Sequence, residues 1–214
     1  MVLHSGEALR VEVERYAERV GYVPARQAAE GWTAWLSELT AWNSRLDLTA
    51  AGTDEELVEL MIGDAIALAQ VVPGDAAVVD VGTGAGAPGV GLACARPDLA
   101  VTLVEPLQKR CAFLRQAVAR AGCTRTALVH GRIEAATRAL GEATFLVSRA
   151  TFAPADWLGR AAKHASNGAL IAVLLAREAV PEAEGVVLRA THRYRLGTSG
   201  RERTIAVFER LHAS

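Results

Sequence analysis

The stretch VVDVGTGAGAPGVGL, residues 78–92, sets five glycines directly behind a run of aliphatic residues. Aliphatics, then glycines, then a helical pattern read as a strand, a tight turn and a helix. Gly82, Gly84 and Gly86 permit positive φ and leave out Cβ atoms that would hold a ligand off the backbone. A dinucleotide calls for GxGxxG, with its pyrophosphate at the N-terminus of the next helix. Here the spacing is GxGxG, with Ala87-Pro88-Gly89 behind it and Asp80 just upstream. A carboxylate in that place is awkward for a pyrophosphate and suits a cation. S-adenosylmethionine (SAM) has a sulfonium and an ammonium and no phosphate, and an acid before GxGxG is the usual mark of enzymes that use it. Asp80 is then expected to organise the methionine end through backbone amides or water. Glu105 ends the next apolar run, AVTLVEP, where it could accept hydrogen bonds from both ribose hydroxyls. NAD proteins also carry such an acid, so Glu105 counts only together with Asp80 and the loop. The plain alternative is a strand-to-helix turn with no ligand.

Outward from the loop, short apolar runs alternate with helical patterns. Strands are expected at 77–81, 100–104, 126–130, 144–148 and 169–175, with helices at 88–95, 106–121, 132–139 and 154–165. Such alternation implies an α/β fold: a doubly wound, Rossmann-like, mostly parallel sheet with right-handed crossovers. The runs 186–195 and 203–209, around LGTSG, read as an antiparallel hairpin closing the sheet. Upstream, 7–20 and 25–42 look helical, the second with Trp32, Trp35, Leu36, Leu39 and Trp42 as an apolar stripe that reads as core. Thr53 and Glu56 match a capping box opening a helix that runs to about Val72. The organisation expected is a helical segment, 1–72, capping one domain, 73–214.

With 214 residues, 51% hydrophobic and 22% charged, the chain reads as globular. A formal net charge of −1 does not by itself announce a nucleic-acid partner. Distribution says more: the first 70 residues are acidic, whereas arginines dominate from Lys109 to Lys163 and again at Arg189, Arg193, Arg195, Arg201 and Arg203. These are either a solvated surface or phosphate contacts. Cys94, Cys111 and Cys123 show no CxxC spacing and read as reduced thiols, and the histidines form no metal motif, so no metal is expected. No leader or membrane span is legible, and a cytoplasmic monomer is expected.

WNSRLDLTA (42–50), VVDVGTGAGAPG (78–89), RPDLAVTLVEPLQKRCAFLRQAV (96–118), GRIEAA (131–136) and SRAT (148–151) together resemble the RsmG (GidB) methyltransferases. The resemblance runs from about Trp42 to Leu175. It implies a class I SAM-dependent methyltransferase fold and methyl transfer to N7 of one guanine in 16S ribosomal RNA, with S-adenosylhomocysteine as product. It also implies SAM contacts at Gly82 and Ala87, at Ile133 and Glu134 beside the adenine, and at Arg149, with Glu105 at the ribose. The sequence departs from the family's HxLDS, reading Met61-Ile62-Gly63-Asp64-Ala65, and from its NLT, reading Asp47-Leu48-Thr49. Leu175 and Ala176 stand where a lysine-glycine is common. These departures are expected on the RNA side.

Guanine N7 has a free lone pair and loses no proton when it attacks a methyl group. No general base is needed, and alignment is the main contribution, on the order of 7–11 kcal/mol in favourable cases. Ser148 and Arg149 end the fourth strand and are expected to face the crevice. Arg149 would then bond a guanine edge or a phosphate, or else be a surface arginine packed on a helix. Asp64, alone on an apolar helix face, is either a capping partner for another segment or a lid over SAM and the base. The resemblance implies 16S RNA or the 30S subunit as the partner, with Lys109, Arg110, Arg201 and Arg203 as candidate phosphate contacts. Two rivals remain: methylation of a small molecule on the same scaffold, and a SAM-binding assembly protein without catalysis.

Overall fold

The computed structural model describes residues 3–212, so residues 1–2 and 213–214 of the ranges 1–72 and 73–214 lie outside the described residues. Its strands are β1 (Ala77–Val81), β2 (Ala100–Glu105), β3 (Thr126–His130), β4 (Phe145–Ser148), β5 (Leu170–Leu175), β6 (Val186–Arg195) and β7 (Glu202–Arg210). They form one sheet in the order β3-β2-β1-β4-β5-β7-β6. The first five strands pair in parallel, and β7 pairs antiparallel with both β5 and β6. The hairpin therefore joins through its second strand, leaving β6 at the edge. That edge carries Arg189, His192, Arg193 and Arg195 and a bulge between Leu188 and Ala190, features that discourage further strand pairing.

Side chains alternate across the sheet, so each strand feeds two cores. Val78, Phe145, Val147, Ala172 and Ile205 face one; Val79, Leu146, Ile171, Val173 and Phe208 face the other. The first face is covered by α1 (Glu7–Arg19), α2 (Arg26–Leu46), α3 (Asp54–Ala69), α4 (Gly89–Ala95) and α5 (Gln108–Arg120). The second is covered by α6 (Thr137–Glu142) and α7 (Pro154–His164). The run expected as a helix over 132–139 splits into a 3-10 turn, Ile133–Ala136, followed by α6.

The tryptophan stripe is core. Trp32, Trp35, Leu36 and Leu39 are fully buried, each such side chain contributing roughly 1.5–3 kcal/mol. Leu9, Val13, Trp32 and Trp35 belong to the same apolar cluster as Val78, Phe145 and Ile205, so the helical segment and the sheet share a core. Thr53 caps α3 through its Oγ1, which accepts from Glu56 N at 3.2 Å. Glu56 reaches back one residue further than a capping box requires, accepting from Gly52 N at 2.8 Å.

The departures from the family pattern have structural reasons. Asp47 ends α2 in the left-handed region at φ 47°, a conformation that Asn and Asp tolerate better than most side chains. Met61 and Ala65 are buried, and a Cβ on Gly63 would stand 2.6 Å from the Tyr16 hydroxyl and 2.9 Å from Leu196. The segment 61–65 is therefore mostly core, which corrects its expected place on an RNA-facing surface. Leu175 is likewise buried.

Candidate functional site

Beyond β1 the chain turns through Gly82, Gly84 and Gly86 at φ 73°, 60° and 98°. The turn is fixed to the next strand, for Gly82 N and Thr83 N both donate to Val104 O, at 2.8 and 3.1 Å. From the helical side, Trp35 Nε1 donates to Ala85 O at 2.9 Å and Trp32 Nε1 to Gly91 O at 2.8 Å. The tryptophans read as packing residues also hold the loop's backbone.

Both carboxylates singled out by the sequence lie beneath this loop. Asp80 is fully buried, and its Oδ2 accepts from Gly89 N at 2.9 Å, where α4 begins. Burial pushes its carboxyl up to about 6, against the lowering effects of the Thr83 hydroxyl and then the Gly89 amide. Glu105, 2% exposed, accepts from Gly84 N at 3.0 Å through Oε2 and from Leu107 N at 2.9 Å through Oε1. A carboxylate has about four acceptor positions, so two remain beyond these bonds.

At the carboxyl ends of β1 and β2, beside the point between β1 and β4 where the strand order reverses, lies a cleft of about 370 Å³. In open α/β sheets this is where ligands bind. Gly82, Ile133 and Glu134 line it together with Arg132, Thr151 and Phe152. Three of the expected cofactor residues thus converge. Asp80, Gly84, Gly86, Ala87 and Glu105 do not line the cleft; they build the loop from behind. Sequence reasoning missed Thr151 and Phe152. A Cβ on Gly82 would collide with the Thr151 side chain, whose Oγ1 donates to Gly82 O at 3.1 Å. Phe152 stacks on Trp157 at 6.1 Å, and Arg160 lies over it at 5.1 Å. The aromatic immediately after SRAT was the available signal.

The expected catalytic residues behave differently. Ser148 does not face the crevice: its hydroxyl donates to Val81 O at 2.7 Å, tying β4 to the end of β1. Arg149 turns toward α3, where its Nη1 donates to Leu60 O and meets Asp64 Oδ2 at 3.3 Å. Asp64 Oδ1 accepts from the Tyr194 hydroxyl at 2.6 Å, and burial, then the Asp64 charge, pushes that phenol well up. Asp64 is therefore the partner of two other segments, β6 and the end of β4. This cluster borders a cleft of about 260 Å³, which shares Phe152 with the first, and a groove of about 450 Å³ that reaches Arg201.

A family profile described as "GidB: rRNA small subunit methyltransferase G" matches residues 29–187. The chain belongs to the GidB family. Among its relatives, the ribosomal RNA small subunit methyltransferase G of Myxococcus xanthus is 36% identical over 185 residues, covering 81% of this chain and 84% of that one. The protein of that name from Anaeromyxobacter dehalogenans strain 2CP-1 is 33% identical over 208 residues, covering 94% and 88%. Solved structures agree on the fold. TrmN from Thermus thermophilus superposes with a TM-score of 0.50 at 20% identity over 72% of this chain and 48% of its own. A candidate O-methyltransferase from Klebsiella pneumoniae gives 0.54 at 15% identity over 94% and 99%. The GidB chain thus has a class I methyltransferase fold with a C-terminal antiparallel hairpin.

Proposed function

We propose that this chain binds SAM in the 370 Å³ cleft and transfers its methyl group to N7 of a guanine in small-subunit ribosomal RNA. The observation that carries this reading is the convergence of Gly82, Ile133 and Glu134 on one cleft at the switch point of a GidB chain. The cleft falls in the ordinary size range of ligand sites, about 300–1,000 Å³. Asp80 and Glu105 stand behind this cleft and shape its glycine wall by accepting from the Gly89 and Gly84 amides. SAM would supply an electrophilic methyl group on sulfonium.

The chain's own residues then have three tasks. Gly82, with Ile133 and Glu134, offers a wall without a side chain on one side and an apolar and an acidic one on the other. Phe152, shared by the two smaller clefts, gives a face on which a purine can stack, worth about 1–3 kcal/mol per base. Arg149, pinned between Asp64 and Leu60 O, presents guanidinium donors at the border of the 260 Å³ cleft, suited to the O6 acceptor of guanine, which leaves the N7 lone pair free. No group need remove a proton, because N7 attacks through its lone pair.

Tritiated SAM is offered to 30S subunits, to naked 16S RNA and to a metabolite extract, and labelled RNA is digested to nucleosides. Label in N7-methylguanosine from ribosomal RNA is expected. Label in a metabolite alone, or in no fraction, would overturn the proposal.

A further inference from the structure

Cys94, in the last turn of α4, and Cys123, in the turn between α5 and β3, bring their Sγ atoms to 3.4 Å. A disulfide requires about 2.05 Å, so closing the pair takes a shift of little more than an ångström. The turn can supply it, since Gly122 beside Cys123 has open space around its Cα. Both thiols line a surface cavity of about 50 Å³ at the meeting of α2, α4 and α5. A water needs about 10–15 Å³, so a hydroperoxide group fits. Gly31 lets α2 pack closely against Cys94, because a Cβ there would stand 2.9 Å from Ala121 O and 3.0 Å from Cys94 Sγ.

We propose that Cys94 and Cys123 form an oxidation site, at which a hydroperoxide joins them in an intramolecular disulfide. Neither thiol takes part in the proposed methyl transfer, so the two readings stand or fall separately. Cys123 is half-buried and Cys94 buried, which makes Cys123 the first to react. The hydrogen bond between the two thiols lowers the Cys123 thiol below its ordinary value, and the same contact, with burial, raises that of Cys94. The Cys123 thiolate attacks the terminal peroxide oxygen. The O–O bond breaks, the remaining alkoxide or hydroxide takes a proton, and Cys123 is left as a sulfenic acid. Cys94 Sγ then attacks the sulfenic sulfur, the S–O bond breaks, and the departing hydroxide leaves as water with the Cys94 proton. Two thiols and one hydroperoxide thus give one disulfide, one alcohol or water, and one further water. Cys111 stays outside this chemistry, buried and donating to Glu105 O at 3.2 Å.

The purified full chain is treated with a small excess of hydrogen peroxide, unfolded, alkylated at its remaining thiols and mapped by mass spectrometry. The expected product has lost two hydrogen atoms, carries one alkyl group on Cys111, and yields a Cys94–Cys123 peptide pair that dithiothreitol releases. Cys111→Ser retains the product and Cys123→Ser abolishes it. The bridge spans 29 positions, and the oxidised chain should melt roughly 5–10 °C higher. Oxygen addition without a crosslink, a crosslink between molecules, or full alkylation of both Cys94 and Cys123 after peroxide would overturn the proposal. A native fold of Cys123→Ser is checked by circular dichroism, and Cys123→Ala replaces it if that fold is lost.

Discussion

At the scale of single residues, Asp80 is a carboxyl group fully buried in β1 beneath the glycine turn. Its carboxyl group is pushed from 3.8 up to about 6 by burial, so in that pH window the folded chain holds a proton that the unfolded chain has released. Stability from this group is therefore lost as pH rises through the window and stays lower above it, by an amount on the order of 3 kcal/mol. Asp80→Asn keeps the shape and removes the titration. Urea unfolding at both ends of the window should show the variant gaining on the parent as pH rises; an unchanged difference would contradict the assignment. The glycines differ among themselves as well. At Gly82 a Cβ meets Thr151 and the backbone is left-handed, whereas at Gly84 the nearest atom is Gly82 O at 4.0 Å. Gly82→Ala should destabilise by about 2–4 kcal/mol, and Gly84→Ala by only about 1–2 kcal/mol from the backbone alone. Thermal unfolding of the two variants side by side tests the order.

At the scale of elements, the strands, α2, α4 and α5 were legible in the sequence because apolar residues repeat at the period of the element they form. The doubly wound, mostly parallel sheet followed from the alternation of strands and helices, and Gly82, Ile133 and Glu134 from the family pattern. Hidden were the facts decided by contacts between distant segments. Ser148 reads as a crevice residue until Val81 O takes its hydroxyl. Arg149 and Asp64 read as separate candidates, although they sit 85 positions apart and bond each other. No period or motif signals Tyr194, which reaches from β6 to the same carboxylate. The ion pair and this phenol hold three elements, α3, β4 and β6, around the smaller acceptor cleft. Tyr194→Phe removes a single hydrogen bond to a charged group, worth about 1.5–3 kcal/mol. Its expected effect is a several-fold higher KM for RNA with SAM affinity unchanged. A matching loss of SAM affinity, read by calorimetry, would place Tyr194 in general packing instead.

At the scale of the whole molecule, a net charge of −1 coexists with local groups of arginines. Arg201 and Arg203 border the 450 Å³ groove, and Arg203 also borders the 260 Å³ cleft. Lys109 and Arg110 stand in the first turn of α5. If Arg201 and Arg203 meet phosphates, replacing both by Ala should lower the salt slope of RNA binding by about 1.4–1.8, at ~0.7–0.9 per phosphate. Binding to RNA with an unchanged slope would remove them from the interface. Across the described residues no helix is long and apolar enough to cross a membrane.

The most direct test of the central claim is calorimetric titration of the purified chain with SAM and with S-adenosylhomocysteine, beside the Gly82→Ala variant. One site per chain for each ligand is expected, with affinity lowered at least tenfold in the variant. Absence of binding by the folded parent, or equal affinity in the variant, would contradict the claim that the glycine turn after β1 forms the cofactor cleft.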